Sequence, residues 1–326
     1  MEKLLECVPN FSEGQNKETI EAIANAIRCV SGVKLLDIDP GFHANRTVYT
    51  FVGSPQNVAN AAFEAIKTAS KLIDMPVHKG AHPRIGACDV CPFIPLGQTI
   101  MNEAIEISKN VAKRVADELN IPTYLYENSA TSPERKNLAW LRKGEYENLS
   151  SKLLLPDFYP DFGENTFNPK SGILITGARP FLIAYNVNLK SKDVEIAKKI
   201  ASQIREKSPT GLPNVKAIGW YIDEFDKVQV STNITDYTVT PVYKVFDAIS
   251  SLAQSFDTEV TGSELVGMIP LHALSECGVH FLKSNHQPHH LPQTELADYA
   301  EKYLGLSDVK AFDKHKKVIE LAMNAD

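Results

Sequence analysis

Apolar and polar residues follow two different periods along the first 95 residues. Over residues 19–30 and 55–73, apolar side chains recur every three or four positions, which predicts two amphipathic helices. Short runs rich in β-branched and aromatic residues predict four strands, at residues 3–9, 33–39, 46–53 and 88–94. The resulting order, βαββαβ, is that of a ferredoxin-like arrangement.

The same order returns in the second half of the chain. The patterns there predict strands at residues 181–187, 215–222, 227–234 and 260–269, with helices at 192–205 and 241–256. We therefore predict an α/β (α+β) protein of two ferredoxin-like βαββαβ sandwich subdomains, residues 1–178 and 179–326. From residue 271 onward the sequence mixes a helical pattern with a histidine-rich turn.

The two repeats are separated by a long segment of mixed character. A helical pattern covers residues 100–119 and a short strand pattern covers 123–127, but residues 128–172 show no period. This aperiodic stretch is rich in Pro, Asp, Asn and aromatic residues. Loops of this length in compact domains usually carry function or connect modules, so we expect one or both roles here.

Composition and charge exclude several classes of protein. A net charge of −6 and a pI near 5.9 argue against a general nucleic-acid binder, which carries a basic excess. No apolar run reaches about 18 residues, and the acidic start lacks the form of a signal peptide, so we expect no membrane span and no secretion. An odd number of cysteines, mostly within apolar runs, is typical of free thiols in a reducing cytoplasm.

Residues 75–95 concentrate the candidate chemistry of the chain. This stretch holds two histidines, His78 and His82, together with Arg84 and Asp89. It also holds residues that interrupt regular structure, namely Pro76, Gly80, Pro83 and Gly86. A polar loop between an amphipathic helix and an apolar strand is better explained by a functional site than by packing.

Two other interpretations of this loop carry less weight. His78 and His82 have the spacing of zinc ligands on a helix, but Gly80 and Pro83 oppose a helix and no glutamate follows His78, so we expect no metal. Cys88 and Cys91 have the spacing of a redox motif, yet in a strand their side chains would point to opposite faces, so we expect structural thiols. A purely structural role in the loop is the alternative for His82.

Six motifs give the chain a resemblance to a known family. They are CVPNFSEG at 7–14, NRTVYTFVG at 45–53, HKGAHPRIGACDVCPFIP at 78–95, DFG at 161–163, FLIAYNVNL at 181–189 and VQVSTNITDY at 228–237. Together they resemble the glutamate formimidoyltransferase family, including the formiminotransferase part of formiminotransferase–cyclodeaminase. The resemblance covers essentially the whole chain, and the chain length implies that a cyclodeaminase domain is absent.

The resemblance implies an activity, a fold and a set of residues. The family transfers a formimino group between N-formimidoyl-L-glutamate and tetrahydrofolate, its co-substrate, usually at the end of histidine degradation. It implies two α/β subdomains with the folate in a groove between them, a homodimer and no metal. The family's catalytic histidine falls on His82. Its folate-contacting segment falls on Gly163, Glu164, Asn165, Thr166, Phe167, Asn168, Pro169, Lys170, Ser171 and Gly172.

The chemistry of the transfer fits these residue types. Moving one carbon between two amines requires one amine to lose a proton and the other to gain one, and an imidazole can do both. Asp39 is our second catalytic candidate, as a group that stabilises the cationic amidinium or orients the imidazole, although an aspartate before Pro-Gly also suits a turn. Both substrates carry carboxylates, and among the nearby cations we expect Arg46 and Arg84 to bind them.

Two alternative functions remain open at this point. The first is a relative that acts on 5-formyltetrahydrofolate with ATP, although the sequence contains no P-loop of the usual form. The second is a non-catalytic folate-binding protein, because pairs of ferredoxin-like domains often serve as small-molecule sensors.

Overall fold

The chain divides into two compact units, one up to Pro180 and one from Phe181 onward, and each has its own sheet and hydrophobic core. This computed structural model describes residues 3–325. The predicted α/β class is confirmed, because helices and strands alternate in both units.

The first unit contains seven strands and three long helices. Its strands are β1 (Lys3–Cys7), β2 (Asn10–Phe11), β3 (Val33–Gly41), β4 (Arg46–Gly53), β5 (Cys88–Gly97), β6 (Thr123–Leu125) and β7 (Leu174–Ala178). Its helices are α1 (Lys17–Arg28), α2 (Pro55–Leu72), α3 (Met101–Leu119) and the short α4 (Leu138–Arg142) and α5 (Leu149–Lys152). Four short 3₁₀ helices also lie between β6 and β7.

All seven strands belong to one mixed sheet. β4 pairs with β3 on one side and with β1 and β2 on the other, and β1 and β2 also pair with β5, all antiparallel. β5 then pairs with β7, and β7 with β6, both parallel. β5 is therefore central, which explains why its run from Cys88 to Ile94 is buried throughout.

The helices of the first unit form where the apolar period predicts them. α1 begins at Asn16, whose side chain accepts hydrogen bonds from the backbone of Glu18 and Thr19 and so satisfies the free N–H groups of the first turn. α2 begins with Pro55, which the first helical position tolerates. α3 ends at Asn120 in the left-handed conformation.

The aperiodic stretch contains more structure than its pattern indicates. Short helices occupy much of residues 128–172, and strand β7 follows directly. Strand β7, whose five residues are all buried, was not predicted from the sequence. A short apolar run of this kind has no period of its own, so only its pairing with β5 and β6 identifies it as a strand.

The second unit has the predicted order βαββαβ followed by a helical tail. Its elements are β8 (Ile183–Leu189), α6 (Val194–Ile204), β9 (Val215–Ile222), β10 (Lys227–Ile234), α7 (Val242–Ser255) and β11 (Val260–Val266). The antiparallel sheet has the order β11-β8-β10-β9, which is compatible with the predicted ferredoxin-like arrangement. The tail contains α8 (Leu271–Ser284), α9 (Gln293–Leu304), α10 (Lys314–Lys317) and α11 (Ile319–Asn324).

Close contact between helix and sheet in the second unit depends on one glycine. A Cβ atom at Gly219 of β9 would lie 2.2 Å from the backbone nitrogen of Lys198 in α6. Only glycine permits this approach. Within residues 3–325, no helix combines the length and apolar character needed to cross a bilayer.

Candidate active site

The loop between α2 and β5 is fixed by close backbone packing. A Cβ atom at Gly80 would lie 2.3 Å from the carbonyl oxygen of Ala44, and one at Gly86 would lie 1.9 Å from that of Ile173. The backbone N–H of Ala81 also donates to the carbonyl of His43 over 3.2 Å. The glycines noted in the sequence are therefore required by contact with neighbouring segments, and the loop has a defined shape.

His78 is a bracing residue of this loop. Its ring is buried, with Nε2 2.9 Å from the carbonyl oxygen of Asn45 and Nδ1 3.4 Å from the Nε of Arg84. Nε2–H therefore donates to the carbonyl while Nδ1 accepts from the guanidinium, which requires a neutral ring. Burial lowers the pKa of His78 and favours the same neutral form.

His82 is half-buried and lies beside a guanidinium group. Its Nδ1 is 2.7 Å from the carbonyl oxygen of Pro83 and 3.3 Å from Nη1 of Arg46. Burial, together with the positive charges of Arg46 and Arg142, lowers the pKa of His82 to about 3. When Nδ1–H donates to the Pro83 carbonyl, Nε2 keeps the lone pair that can accept a proton.

Asp89 joins two arginines behind the His82 ring. Its fully buried carboxylate accepts from Nη1 of Arg46 over 2.5 Å, from Nη2 and Nε of Arg142, the latter over 3.3 Å, and from the backbone N–H of Ile85 over 3.0 Å. Burial alone would raise the pKa of this carboxyl, but Arg142 and Arg46 outweigh it and hold the pKa at about 2. The carboxylate is therefore ionised and fully paired.

A β-bulge in strand β5 determines the position of Asp89. Asn10 pairs with Val90 and the next residue of β2, Phe11, pairs with Cys88, so Asp89 is the extra residue on β5. The bulge also breaks the regular alternation of side chains along β5. Across the bulge Cys88 and Cys91 fall on the same face of the strand, and the predicted placement on opposite faces is wrong.

The thiol of Cys91 contacts that of a third cysteine, Cys7. The Sγ atoms of Cys91 and Cys7 lie 3.5 Å apart, and both cysteines are free and fully buried. Burial raises the pKa of the Cys7 thiol. Within residues 3–325, no group of three or more His, Cys, Asp or Glu side chains is arranged to hold a metal ion.

Arg84 links the loop between α2 and β5 to the two glutamates Glu145 and Glu147. Its two Nη atoms each lie 2.7 Å from an oxygen of Glu147, and Nη1 is 3.4 Å from Glu145. Nη2 also donates to the carbonyl of His78 over 3.0 Å. An open cavity of about 470 Å³ lies here, and its described lining does not include His82. It is lined by Lys79, Gly80, Arg84, Gly144, Glu145, Glu147 and Asn148.

Residues 163–172 pack directly against the loop between α2 and β5, which we call the histidine loop because it carries His78 and His82. Gly172, with a φ of +68°, bridges to Gly86, and the carbonyl of Ser171 accepts from the N–H of Ala87 over 2.8 Å. The carbonyl of Lys170 accepts from the N–H of Met75 over 3.0 Å. The two segments singled out in the sequence are therefore neighbours in the fold.

Side chains of residues 163–172 also anchor this segment to neighbouring parts of the first unit. The Asn165 amide donates to the carbonyl of Leu153 over 2.6 Å, and the Asn168 amide donates to that of Asn120 over 3.1 Å. The ring of Phe167 lies 5.6 Å from that of Tyr146, measured between centroids.

Comparison with known proteins identifies the family. Residues 4–179 match the family model described as the formiminotransferase domain, N-terminal subdomain, and residues 184–324 match the formiminotransferase domain. The chain belongs to the formiminotransferase family. It is 42% identical over 320 residues to a glutamate formimidoyltransferase of Streptococcus pyogenes, covering 98% of each protein.

Other members of the family are similar to the same extent. A glutamate formimidoyltransferase of Thermoplasma acidophilum is 42% identical over 284 residues, which are 86% of this chain and 93% of that protein. A formimidoyltransferase-cyclodeaminase of Dictyostelium discoideum is 44% identical over all of this chain. The chain spans only 61% of the length of that relative.

Asp39, the second catalytic candidate, is half-buried on β3. It pairs with Val48 of β4, on the side of β4 away from β1. The carboxylate that binds the Arg46 guanidinium is that of Asp89. The catalytic role of Asp39 stays a prediction.

The pairing of Asp89 with Arg46 and Arg142 was not predicted from the sequence. A charged residue inside the apolar run of β5 was a usable signal, because a buried carboxylate requires a partner. Arg142 had no comparable signal. It lies 53 residues away in the aperiodic stretch, and only the fold brings it to Asp89.

Proposed function

We propose that this chain is a glutamate formimidoyltransferase, which transfers the formimino group between N-formimidoyl-L-glutamate and tetrahydrofolate. The observation that carries the proposal is the neutral, half-buried imidazole of His82 beside the cationic Arg46. Relatives that bear this name and match most of the chain support the same assignment.

The proposed step balances as a transfer between two amines. The N5 amine of tetrahydrofolate attacks the formimino carbon, and a new C–N bond forms. Nε2 of His82 accepts the proton that N5 loses. The bond between the carbon and the glutamate nitrogen then breaks as His82 returns a proton to that nitrogen, which gives 5-formimidoyltetrahydrofolate and glutamate.

The remaining groups of the site bind and orient the substrates in this proposal. Residues 163–172 contact the folate, and their packing against the histidine loop supports this role. Arg46 and Arg84 bind substrate carboxylates, with Arg84 exchanging part of its pairing to Glu147 for the ligand. Asp39 stabilises the cationic amidinium.

The wider setting follows from the family. We propose a cytoplasmic homodimer that acts in histidine degradation and one-carbon metabolism, with the catalytic loop in the N-terminal subdomain, residues 1–178. The free cysteines support a reducing compartment. Tetrahydrofolate acts as a co-substrate.

One assay tests the activity directly. The protein is mixed with tetrahydrofolate and formimidoylglutamate, the mixture is acidified, and the absorbance of 5,10-methenyltetrahydrofolate is read. We expect a signal that His82→Ala reduces by roughly 10²–10⁴ in kcat. The matched control is His290→Ala, at an exposed histidine of the tail.

Three outcomes contradict the proposal. Full activity of His82→Ala removes this residue from the mechanism. A signal that appears only with 5-formyltetrahydrofolate and ATP favours the ATP-dependent relative. Folate binding without any turnover favours a non-catalytic binding protein.

A further inference from the structure

Two guanidinium groups and one carboxylate form a charged trio next to His82. Arg46 and Arg142 both bind the carboxylate of Asp89. Two positive charges face one negative charge, so the trio carries one excess positive charge. Buried ionic groups are costly unless they are compensated, so an uncompensated cation in this place needs an explanation beyond stability.

The carboxylate of the trio is fully enclosed, whereas its guanidinium groups keep a small exposed fraction. The side chain of Asp89 is 0% exposed, that of Arg46 is 9% exposed and that of Arg142 is 15% exposed. Asp89 engages Nη2 and Nε of Arg142, and a guanidinium carries five N–H donors. Arg142 therefore has N–H donors beyond those that Asp89 engages.

Arg142 is held by a fixed turn of the backbone. The side chain of Asn137 caps the start of α4 by accepting from the N–H of Ala139. Nζ of Lys152 donates to the carbonyls of Leu141, over 2.6 Å, and Lys143, over 3.0 Å, one on each side of Arg142. The arginine is thus positioned before any ligand arrives, which reduces the entropy lost on binding.

We propose that Arg142 and Arg46 together bind a carboxylate of the amino-acid substrate, and that Asp89 is the positioning residue that orients both guanidinium groups. The identity of the ligand as a formimidoyl amino acid rests on the proposed function. The anion site itself rests on the geometry of the trio. A planar carboxylate is the ligand that such forked donors match best.

This site couples substrate binding to the basicity of His82. The charged groups that face the imidazole are Arg46 from β4, Arg142 from α4 and Asp89 from β5, and the two arginines contribute to its low pKa. A carboxylate bound to the arginines neutralises the excess positive charge, so the pKa of His82 rises. The imidazole becomes a stronger base when the substrate is in place.

The ring-proton NMR signal of His82 tests the coupling. The signal is assigned by its loss in His82→Gln, and L-glutamate is the probe. Without glutamate, we expect the signal to stay at its neutral position from about pH 7 to about pH 4. With saturating glutamate, we expect it to titrate within that range.

Two variants of Arg142 separate the effect of its positive charge from that of its guanidinium geometry. Arg142→Gln leaves Asp89 and Arg46 as a balanced pair, so we expect His82 to titrate at higher pH even without ligand and glutamate to bind roughly 10- to 100-fold more weakly. Arg142→Lys keeps the positive charge but loses the planar pair of N–H donors that matches a carboxylate. We expect it to keep the low His82 pKa and to bind glutamate about tenfold more weakly. Circular dichroism confirms that both variants are folded.

Several results overturn the inference. They are a parent protein that does not bind glutamate, a His82 signal that glutamate leaves unchanged, and an Arg142→Gln variant that binds as the parent does. Failure of the proposed function is distinct from these. If glutamate raises the His82 pKa through Arg142 but no methenyltetrahydrofolate is produced, the anion site stands and the formimidoyltransferase assignment falls.

Discussion

Loss of the Asp89 charge should destabilise the first unit by an amount that depends on pH. The carboxyl has a pKa of about 2 in the folded protein, against 3.8 as its ordinary value. The difference of roughly two pKa units corresponds to about 2 kcal/mol of unfolding free energy. Because the folded pKa is the lower one, this stabilisation is complete above about pH 4 and disappears as the pH falls through about 2.

Replacement by the neutral amide removes the charge at every pH. Asp89→Asn leaves Arg46 and Arg142 buried together without their counter-charge, and breaking a buried pair in this way costs about 3–5 kcal/mol. We therefore expect a large loss of stability near pH 7. The stability gap between variant and parent should narrow as the pH falls below about 4, because the unfolded parent takes up a proton on Asp89 there, and should close as the pH falls through about 2, where the folded parent is protonated too.

Urea unfolding followed by tryptophan fluorescence measures this effect in the right unit. The chain has two tryptophans, and Trp220→Phe leaves Trp140, two residues from Arg142, as the reporter of the first unit. The matched control is Asp117→Asn, at a 55% exposed carboxylate paired to Lys113, where we expect at most about 0.5 kcal/mol. Equal stability of Asp89→Asn and the parent, or a gap that does not change with pH, would refute the reasoning.

Three further predictions concern the loop and its surroundings. Arg84→Ala should speed amide hydrogen exchange in residues 144–148, because Glu147 loses its bidentate partner; unchanged exchange contradicts this. Gly86→Ala should lower Tm by several degrees or more, since its Cβ would lie 1.9 Å from a carbonyl oxygen, whereas Gly41→Ala, with its nearest neighbour at 3.4 Å, is the milder control. Tyr49→Phe should cost about 1 kcal/mol in urea unfolding, because a buried hydroxyl loses its 2.9 Å bond to a carbonyl of α1.

Elements with a strong period of their own could be predicted from the sequence. Strands β4, β9 and β10 have the predicted bounds, and helices α1, α2, α3, α6 and α7 begin and end within two residues of prediction. Alternation and helical spacing arise from the burial of one face of an element, so they can be recognised from neighbouring residues in the sequence. β7 lacks this signal, because it is a short strand with all of its residues buried.

The candidate site was only partly accessible from the sequence. The polar loop and the segment 163–172 could be singled out from composition and resemblance, and they are neighbours in the fold. The pairing of Asp89 with Arg142 could not, because it depends on a bulge and on a turn that no local period encodes. The catalytic roles of His82 and Asp39 stay predictions.

The single extra residue in β5 constrains how this strand can evolve. The bulge determines both the position of Asp89 in the charged trio and the common face of Cys88 and Cys91. Deleting one residue there would restore the regular pleat and exchange the two faces, turning a carboxylate toward the apolar core. An insertion or deletion in this part of β5 would therefore disturb every side chain beyond it, whereas a substitution disturbs one position only.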